Sequence, residues 1–218
     1  MPRKAVIFDL DGTLVDSLPG LTLSLNAALE KSDHPPYTEK QVRNFIGNGA
    51  QQLIKNALPD ATPETLQEAL GIFLNHYREN WQRGTVLFPG IRELLRELKM
   101  RHWKLGLLSN KPDEFVQEIV QKLFPPSLFD QVLGQCPKTP QKPNPEAALK
   151  MLQNFQISPG KCLFIGDSLI DIETAKNASI PSIAVTWGYE DPQNLLTATS
   201  TAQTPKDLHK LLISKGGH

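Results

Sequence analysis

Apolar residues follow two different rhythms along this chain, and the change between them divides it. Ala5-Val6-Ile7-Phe8 is an unbroken apolar run between Lys4 and Asp9, the pattern of a short strand buried on both faces. Leu18, Leu21, Leu25 and Leu29 then recur three and four apart, which places them on one face of a helix. His34-Pro35-Pro36 stops that helix, because proline lacks the amide hydrogen and clashes with the preceding turn. Short helices are predicted over 39–45 and 50–58, with the turn Ile46-Gly47-Asn48-Gly49 between them. Thr62-Pro63-Glu64 reads as an N-cap followed by proline at the first helical position. The helix it opens runs towards Trp81. From Leu18 to Arg83 the patterns are helical and no strand is expected.

Beyond that block, strands and helices alternate. Pro89-Gly90 opens a helix carrying Leu94, Leu95 and Leu98. Strands are predicted over 103–108, 129–133, 161–165 and 182–186, the last of them the final strand. A helix follows the first of these, and others are predicted over 145–155, 170–177 and 205–213. Alternation of this kind implies a parallel sheet covered by helices on both faces. Asp9, Ser109 and Asp167 each fall at the carboxyl end of a predicted strand, where open parallel sheets bind ligands. The helical block begins just after the first of these ends, so it is placed to act as a lid. Gly216-Gly217-His218 reads as a loose tail.

Composition narrows the partners. The 218 residues suit one large domain or one domain with a modest insert, and 39% hydrophobic with 21% charged residues is ordinary for a globular protein. Lys plus Arg and Asp plus Glu are both 23, so the basic excess of a nucleic-acid or membrane-surface protein is missing. Cys136 and Cys162 form neither a CxxC pair nor a metal-ligand spacing. They read as buried or inert free thiols of a reducing compartment, with a disulfide as the alternative. No apolar run approaches the roughly 20 residues of a membrane helix. Arg3 and Lys4 precede an apolar stretch, but Asp9 and Asp11 break it too early for a signal peptide. The expectation is a cytoplasmic protein with a small-molecule partner, without nucleic acid or membrane, as a monomer or homodimer.

Four segments carry candidate chemistry. In Phe8-Asp9-Leu10-Asp11-Gly12-Thr13-Leu14-Val15-Asp16-Ser17, two acids two residues apart share a side if the strand geometry persists. Acids so placed suit a metal or acid/base work; taken alone, Asp11-Gly12 is equally a plain turn. Ser109, in Leu107-Leu108-Ser109-Asn110-Lys111-Pro112, offers a hydroxyl at a strand-to-helix junction, for a phosphate oxygen or simply for a helix cap. Lys142, in Gln141-Lys142-Pro143-Asn144-Pro145-Glu146, is by itself an ordinary surface charge. Asp167 and Asp171, in Gly166-Asp167-Ser168 and the turn after it, suit a hard cation with oxygen ligands, or only the cap of a helix.

Read together and in this order, the four segments resemble the four signatures of the haloacid dehalogenase superfamily. The first matches Asp-x-Asp-Gly-Thr-Leu-x-Asp-Ser closely, and the second carries Ser109 where threonine is more usual. The third matches in the prolines around Lys142. The fourth matches in Asp167, Ser168 and Asp171, although Ser179 replaces a customary glycine. The resemblance implies a Rossmann-like α/β core, residues 1–16 and 84–218, with an all-helical cap inserted over 17–83. It implies that Asp9 is the nucleophile and Asp11 the general acid and base. Lys142 would attend the phosphate and the nucleophile, and Ser109, Asn110 and Gly12 would contact substrate. Asp9, Asp167 and the main-chain carbonyl of Asp11 would hold Mg²⁺, with Asp171 supporting them. Keeping Asp11 favours phosphoryl transfer over dehalogenation.

The segment Val42-Arg43-Asn44-Phe45-Ile46-Gly47-Asn48-Gly49-Ala50, with Leu53-Ile54 after it, resembles the cap of the phosphoglycolate phosphatases, and Leu14 to Gly20 agrees. That likeness implies 2-phosphoglycolate as substrate, salvaged in carbohydrate metabolism or after repair of oxidised DNA ends. Arg43, Gly47 and Asn48 then become candidates for its carboxylate; otherwise the glycines make a plain turn and Arg43 is a surface residue or pairs within the cap. The alternatives are another small phosphate ester or pyrophosphate, a β-phosphoglucomutase-like mutase, or a non-catalytic binding protein. Leu21 stands where the mutases carry a histidine, and the binding protein would be expected to lose one of Asp9, Asp11, Lys142 or Asp167.

Overall fold

The computed structural model describes residues 4–214; the terminal Gly216-Gly217-His218 lies outside them. β1 (Ala5–Phe8) is followed by the two-residue β2 (Val15–Asp16) and then by four helices: α1 (Leu18–Lys31), α2 (Glu39–Val42), α3 (Gly49–Ala57) and α4 (Pro63–Asn80). A 3₁₀ turn over Arg43–Phe45 extends α2. β3 (Val86–Leu87) and α5 (Ile91–Met100) come next, then β4 (Lys104–Pro112), α6 (Asp113–Leu123), β5 (Gln131–Gln135) and α7 (Glu146–Phe155). β6 (Cys162–Gly166), α8 (Leu169–Asn177), β7 (Ser182–Val185), β8 (Ser200–Ala202) and α9 (Pro205–Ser214) complete the chain.

Six strands form one parallel sheet in the order β5-β4-β1-β6-β7-β8. Although β1 is apolar throughout, its side chains alternate between two cores, as a pleated strand requires. Val6 and Phe8 pack with Leu95 of α5, Phe115 of α6 and Leu208 of α9. Ala5 and Ile7 face the other way, with Met151 and Phe155 of α7 and Ala175 of α8. The chain leaves β1 for β4 and β5 on one side and returns to β6 on the other. That change of direction opens a crevice at the carboxyl ends of the central strands.

The helices α1–α4 fill the interval between β2 and β3, which pair antiparallel through Val15 with Leu87 and Asp16 with Val86. The two chain crossings into the helical insert are thereby tied together. Thr62 caps α4 through its side chain, accepting from the Thr65 amide at 3.3 Å. Leu25, Leu29, Ile54, Phe73 and Tyr77 bury the inner faces of α1, α3 and α4.

Three expectations need correction. The final strand is β8, not the strand at 182; Ser200-Thr201-Ala202 has no apolar run and is held as a strand by its pairing with Ile183, Ala184 and Val185. β4 does not end at Ser109 but continues to Pro112, with a break in register between Leu108 and Pro112. Ser109 accordingly does not cap α6, whose N-cap is Pro112. Ser179 adopts φ 56°, the left-handed conformation that a glycine takes without strain.

Candidate active site

The ends of three neighbouring strands bring the chemistry together. The Asp9 amide donates to the Ile165 carbonyl at 2.9 Å, so the residue after β1 is pinned beside the end of β6. Asp167 follows β6 directly, and Asp171 lies in the first turn of α8. Carboxylate oxygens of Asp9, Asp167 and Asp171 all lie within 4.8 Å of one another, and all three residues are buried. Lys142 reaches in from the loop before α7 and donates to Asp9 at 2.7 Å and to Asp171 at 2.6 Å.

Each acid is held by its own donors. Thr13 Oγ1 donates to Asp167 at 3.0 Å, and the Tyr189 amide donates to its other oxygen at 2.7 Å. Asp171 is fixed by a capping box at the start of α8: it accepts from the Ser168 hydroxyl at 2.6 Å and from the Ser168 amide at 3.1 Å. Gly12 has φ +83°, and a β-carbon there would lie 2.2 Å from an Asp167 oxygen. Only glycine lets the backbone pass that close to the carboxylate.

Burial disfavours so much charge in one place. Burial raises the Asp9 carboxyl to about 7 even though Lys142 works against the shift, and Asp171 adds to it. Burial, and then the charges of Asp9 and Asp171, push Asp167 well above the ordinary carboxylate range. Burial also opposes the Lys142 charge, but Asp171 and Asp9 outweigh it and hold the ammonium above the usual lysine range. With Asp11 and Lys111 included, four carboxylates face two ammonium groups. Fully ionised, the site carries two uncompensated negative charges. A hard divalent cation with oxygen ligands suits such a donor set.

Asp11 turns to a different set of partners. It accepts a hydrogen bond from Ser17 Oγ, and Lys111 Nζ donates to both its carboxylate oxygens at 3.1 and 3.0 Å. Lys111 is buried, and its pairing with Asp11 was not foreseen from the sequence. The signal was its place two residues after Ser109, where a lysine side chain on the same strand end can reach the same crevice.

The remaining candidates divide between lining and bracing. Ser109 lines the crevice beside Asp9, and its Oγ accepts from the Lys111 amide at 3.3 Å. Asn110 braces three segments: its amide donates to the carbonyls of Gly47 and Lys142, both at 3.1 Å, and its oxygen accepts from the Lys142 amide at 2.8 Å. Gly47 and Gly49 both have positive φ, +114° and +79°, in the turn between α2 and α3, and both line the crevice. Asn48 is exposed and is absent from the crevice lining. Arg43 finds no ion pair within the insert. Its guanidinium donates to the backbone carbonyls of Gly188, Tyr189 and Glu190, in the loop after β7. The Tyr189 hydroxyl in turn accepts from the amides of Ser17 and Leu18 and donates to Asp16.

Two clefts meet at Asp9 and Asp11. One, of about 520 Å³, runs under the helical insert between Leu21, Leu53, Phe73, Tyr77 and Lys111. The other, of about 600 Å³, opens past Arg43, Asp167, Ser168 and Tyr189. Cys136 and Cys162 are both free thiols, and burial raises Cys162 to about 12. Among the described residues no helix is long and apolar enough to cross a membrane.

A crevice at parallel strand ends, lined by acids from β1 and β6 and bridged by a lysine, defines a class, and the chain belongs to it: residues 6–185 match the model of the haloacid dehalogenase-like hydrolases. Among individual proteins, it is 34% identical to a phosphoglycolate phosphatase of Pseudomonas putida, over 97% of this chain and 79% of that one. It is 37% identical to a phosphoglycolate phosphatase of Vibrio vulnificus, over 85% of each chain. A solved structure from Lactobacillus delbrueckii subsp. bulgaricus superimposes with a TM-score of 0.91 at 33% identity, covering 97% of this chain and 99% of that one.

Proposed function

We propose that this chain is a Mg²⁺-dependent phosphomonoester hydrolase whose substrate is 2-phosphoglycolate, acting through an aspartyl-phosphate on Asp9. The observation that carries this reading is the convergence of Asp9, Asp167 and Asp171 on Lys142, three buried carboxylates to one ammonium. The relatives named phosphoglycolate phosphatase supply the substrate.

The residues fit the metal. Asp9, Asp167 and the main-chain carbonyl of Asp11 would hold it, with Asp171 alongside. When bound, it supplies positive charge against both the carboxylates and the phosphate. The need is plain: two unit charges about 4 Å apart repel by ~4 kcal/mol at an effective dielectric of ~20, which is on the order of a thousandfold in rate.

Asp9 attacks phosphorus, forming a bond from its carboxylate oxygen as the bond to the ester oxygen breaks. Asp11 delivers a proton to the departing alkoxide. Water then attacks the aspartyl-phosphate, Asp11 takes its proton, and inorganic phosphate leaves with Asp9 restored. Lys142 holds Asp9 in place for attack and offsets charge on the phosphoryl oxygens, which Ser109 also binds. Residues 17–83 form the cap that closes over 1–16 and 84–218 and keeps bulk water out. Leu21, apolar and lining the crevice, has no proton to exchange with a sugar hydroxyl, so a mutase is not favoured.

A phosphate-release screen with Mg²⁺ over 2-phosphoglycolate, hexose phosphates, nucleoside monophosphates and pyrophosphate tests the reading. The expected result is a kcat/KM for 2-phosphoglycolate well above the rest. Comparable values across the panel would leave a generalist and defeat the narrow assignment.

A further inference from the structure

Two buried polar groups under the helical insert are not used by the steps above. Lys111 is 6% exposed, with Nζ 4.6 Å from the centroid of the Tyr77 ring. Tyr77 belongs to α4 and is 1% exposed, and its hydroxyl, close to Lys111 and Thr85, completes no well-formed hydrogen bond among the described residues. A buried hydroxyl is seldom left without one. Both groups line the cleft that reaches Asp9 and Asp11, whose other walls include the apolar Leu21, Ile46, Leu53 and Phe73. Lys111 is the one cationic side chain among the described residues of that lining.

The geometry points to a subsite for an anionic group, built from the Lys111 ammonium and the Tyr77 hydroxyl, that receives the end of the substrate remote from phosphorus. The inference rests on the reading of this crevice as a phosphoester hydrolase site, and it sets a dimension. Asp11 must touch the departing ester oxygen, and Lys111 Nζ lies 3.0 Å from Asp11. An anion bound by Lys111 is therefore separated from that oxygen by a very short spacer. 2-Phosphoglycolate has a single methylene between its ester oxygen and its carboxylate and meets this condition. A hexose phosphate has no anion to place there, and sets its hydroxyls against apolar walls. Because Tyr77 comes from the insert and Lys111 from β4, the subsite is complete only with α4 over the crevice.

The test compares kcat/KM for 2-phosphoglycolate, pyrophosphate and ethyl phosphate, which lacks a second anionic group, in the wild type, Lys111→Met and Tyr77→Phe. The ratio of 2-phosphoglycolate to ethyl phosphate should fall on the order of 100-fold in Lys111→Met and about tenfold in Tyr77→Phe, mostly through KM. Equal losses on both substrates would mean that Lys111 acts only through Asp11, and would overturn the subsite. Should Lys111→Met fail to fold, Tyr77→Phe carries the test, since it keeps the ring beneath the ammonium and removes only the hydroxyl; an unchanged ratio there overturns the proposal. A wild type that prefers pyrophosphate, with the preference lost in the variants, would retain the anion subsite and reject 2-phosphoglycolate. A wild type that favours neither anion over ethyl phosphate would reject the subsite.

Discussion

A single side chain in this crevice is defined by what opposes it. Asp9 is driven towards its neutral form by burial and towards its anion by Lys142 at 2.7 Å, and only the anion can attack phosphorus. Replacing it by asparagine removes the proposed nucleophile while nearly keeping the shape. Asp9→Asn is expected to lower kcat by at least about four orders of magnitude and to abolish a phosphorylated enzyme species in mass spectra of quenched reactions; near-normal turnover would exclude Asp9 as nucleophile. At this scale, legibility from sequence was uneven. Asp9, Asp11, Asp167 and Asp171 stood out because the segments that carry them resemble family signatures in the right order; taken alone, a turn or a helix cap explained Asp11 and Asp167 equally well. Lys111 did not, since a lysine in a string says nothing of whether it is buried, and its partner lies 100 residues away. Arg43 shows the converse: its charge suggested a substrate carboxylate, whereas its guanidinium donates to main-chain carbonyls 145 to 147 residues on.

Helix and strand positions were legible wherever an apolar period ran for two turns or a buried strand was continuous, as in α1, β1 and β6, or where a cap signal stood at a helix start, as in α4. β8 escaped because its three residues have no periodicity of their own and exist as a strand only through their neighbour. The ribbon of β2 and β3 escaped for the same reason, its halves being two residues each and about 70 apart. One element also carries a measurable link between fold and site. The first turn of α8 is organised by Ser168 and Asp171 together, so the cap of the helix and the placement of an acid in the cluster are one arrangement. Ser168→Ala should cost about 1 kcal/mol of stability in chemical denaturation, and should also weaken Mg²⁺ binding measured by calorimetry. A stability loss with unaltered metal affinity would show that Asp171 needs no help from the helix cap.

For the molecule as a whole, the concentration of buried acid makes stability depend on ions and on pH in a fixed direction. Without a metal beside it, burial raises the Asp9 carboxyl from the ordinary 3.8 to about 7. Between those values the folded state keeps a proton that the unfolded state has lost. Stability is therefore expected to fall as pH rises from about 4 through 7, with Asp167, kept protonated by the same burial, adding to the fall. On the proposed function Mg²⁺ would compete with that proton, so its stabilisation should grow over the same window; at 100 times its Kd the gain would be about 2.7 kcal/mol. Melting curves with Mg²⁺ or with a chelator, at pH 5 and pH 7.5, check both slopes, and a metal effect independent of pH would contradict them. The loop after β7 adds a mechanical consequence. Its backbone amide at Tyr189 steadies Asp167, while its carbonyls take hold of Arg43 from the insert. On the function proposed above, doorway and cation grip would share one hinge pin: swinging the roof aside would pull on the strut that aims Asp167, so admitting a new substrate and loosening the cation would be parts of one movement.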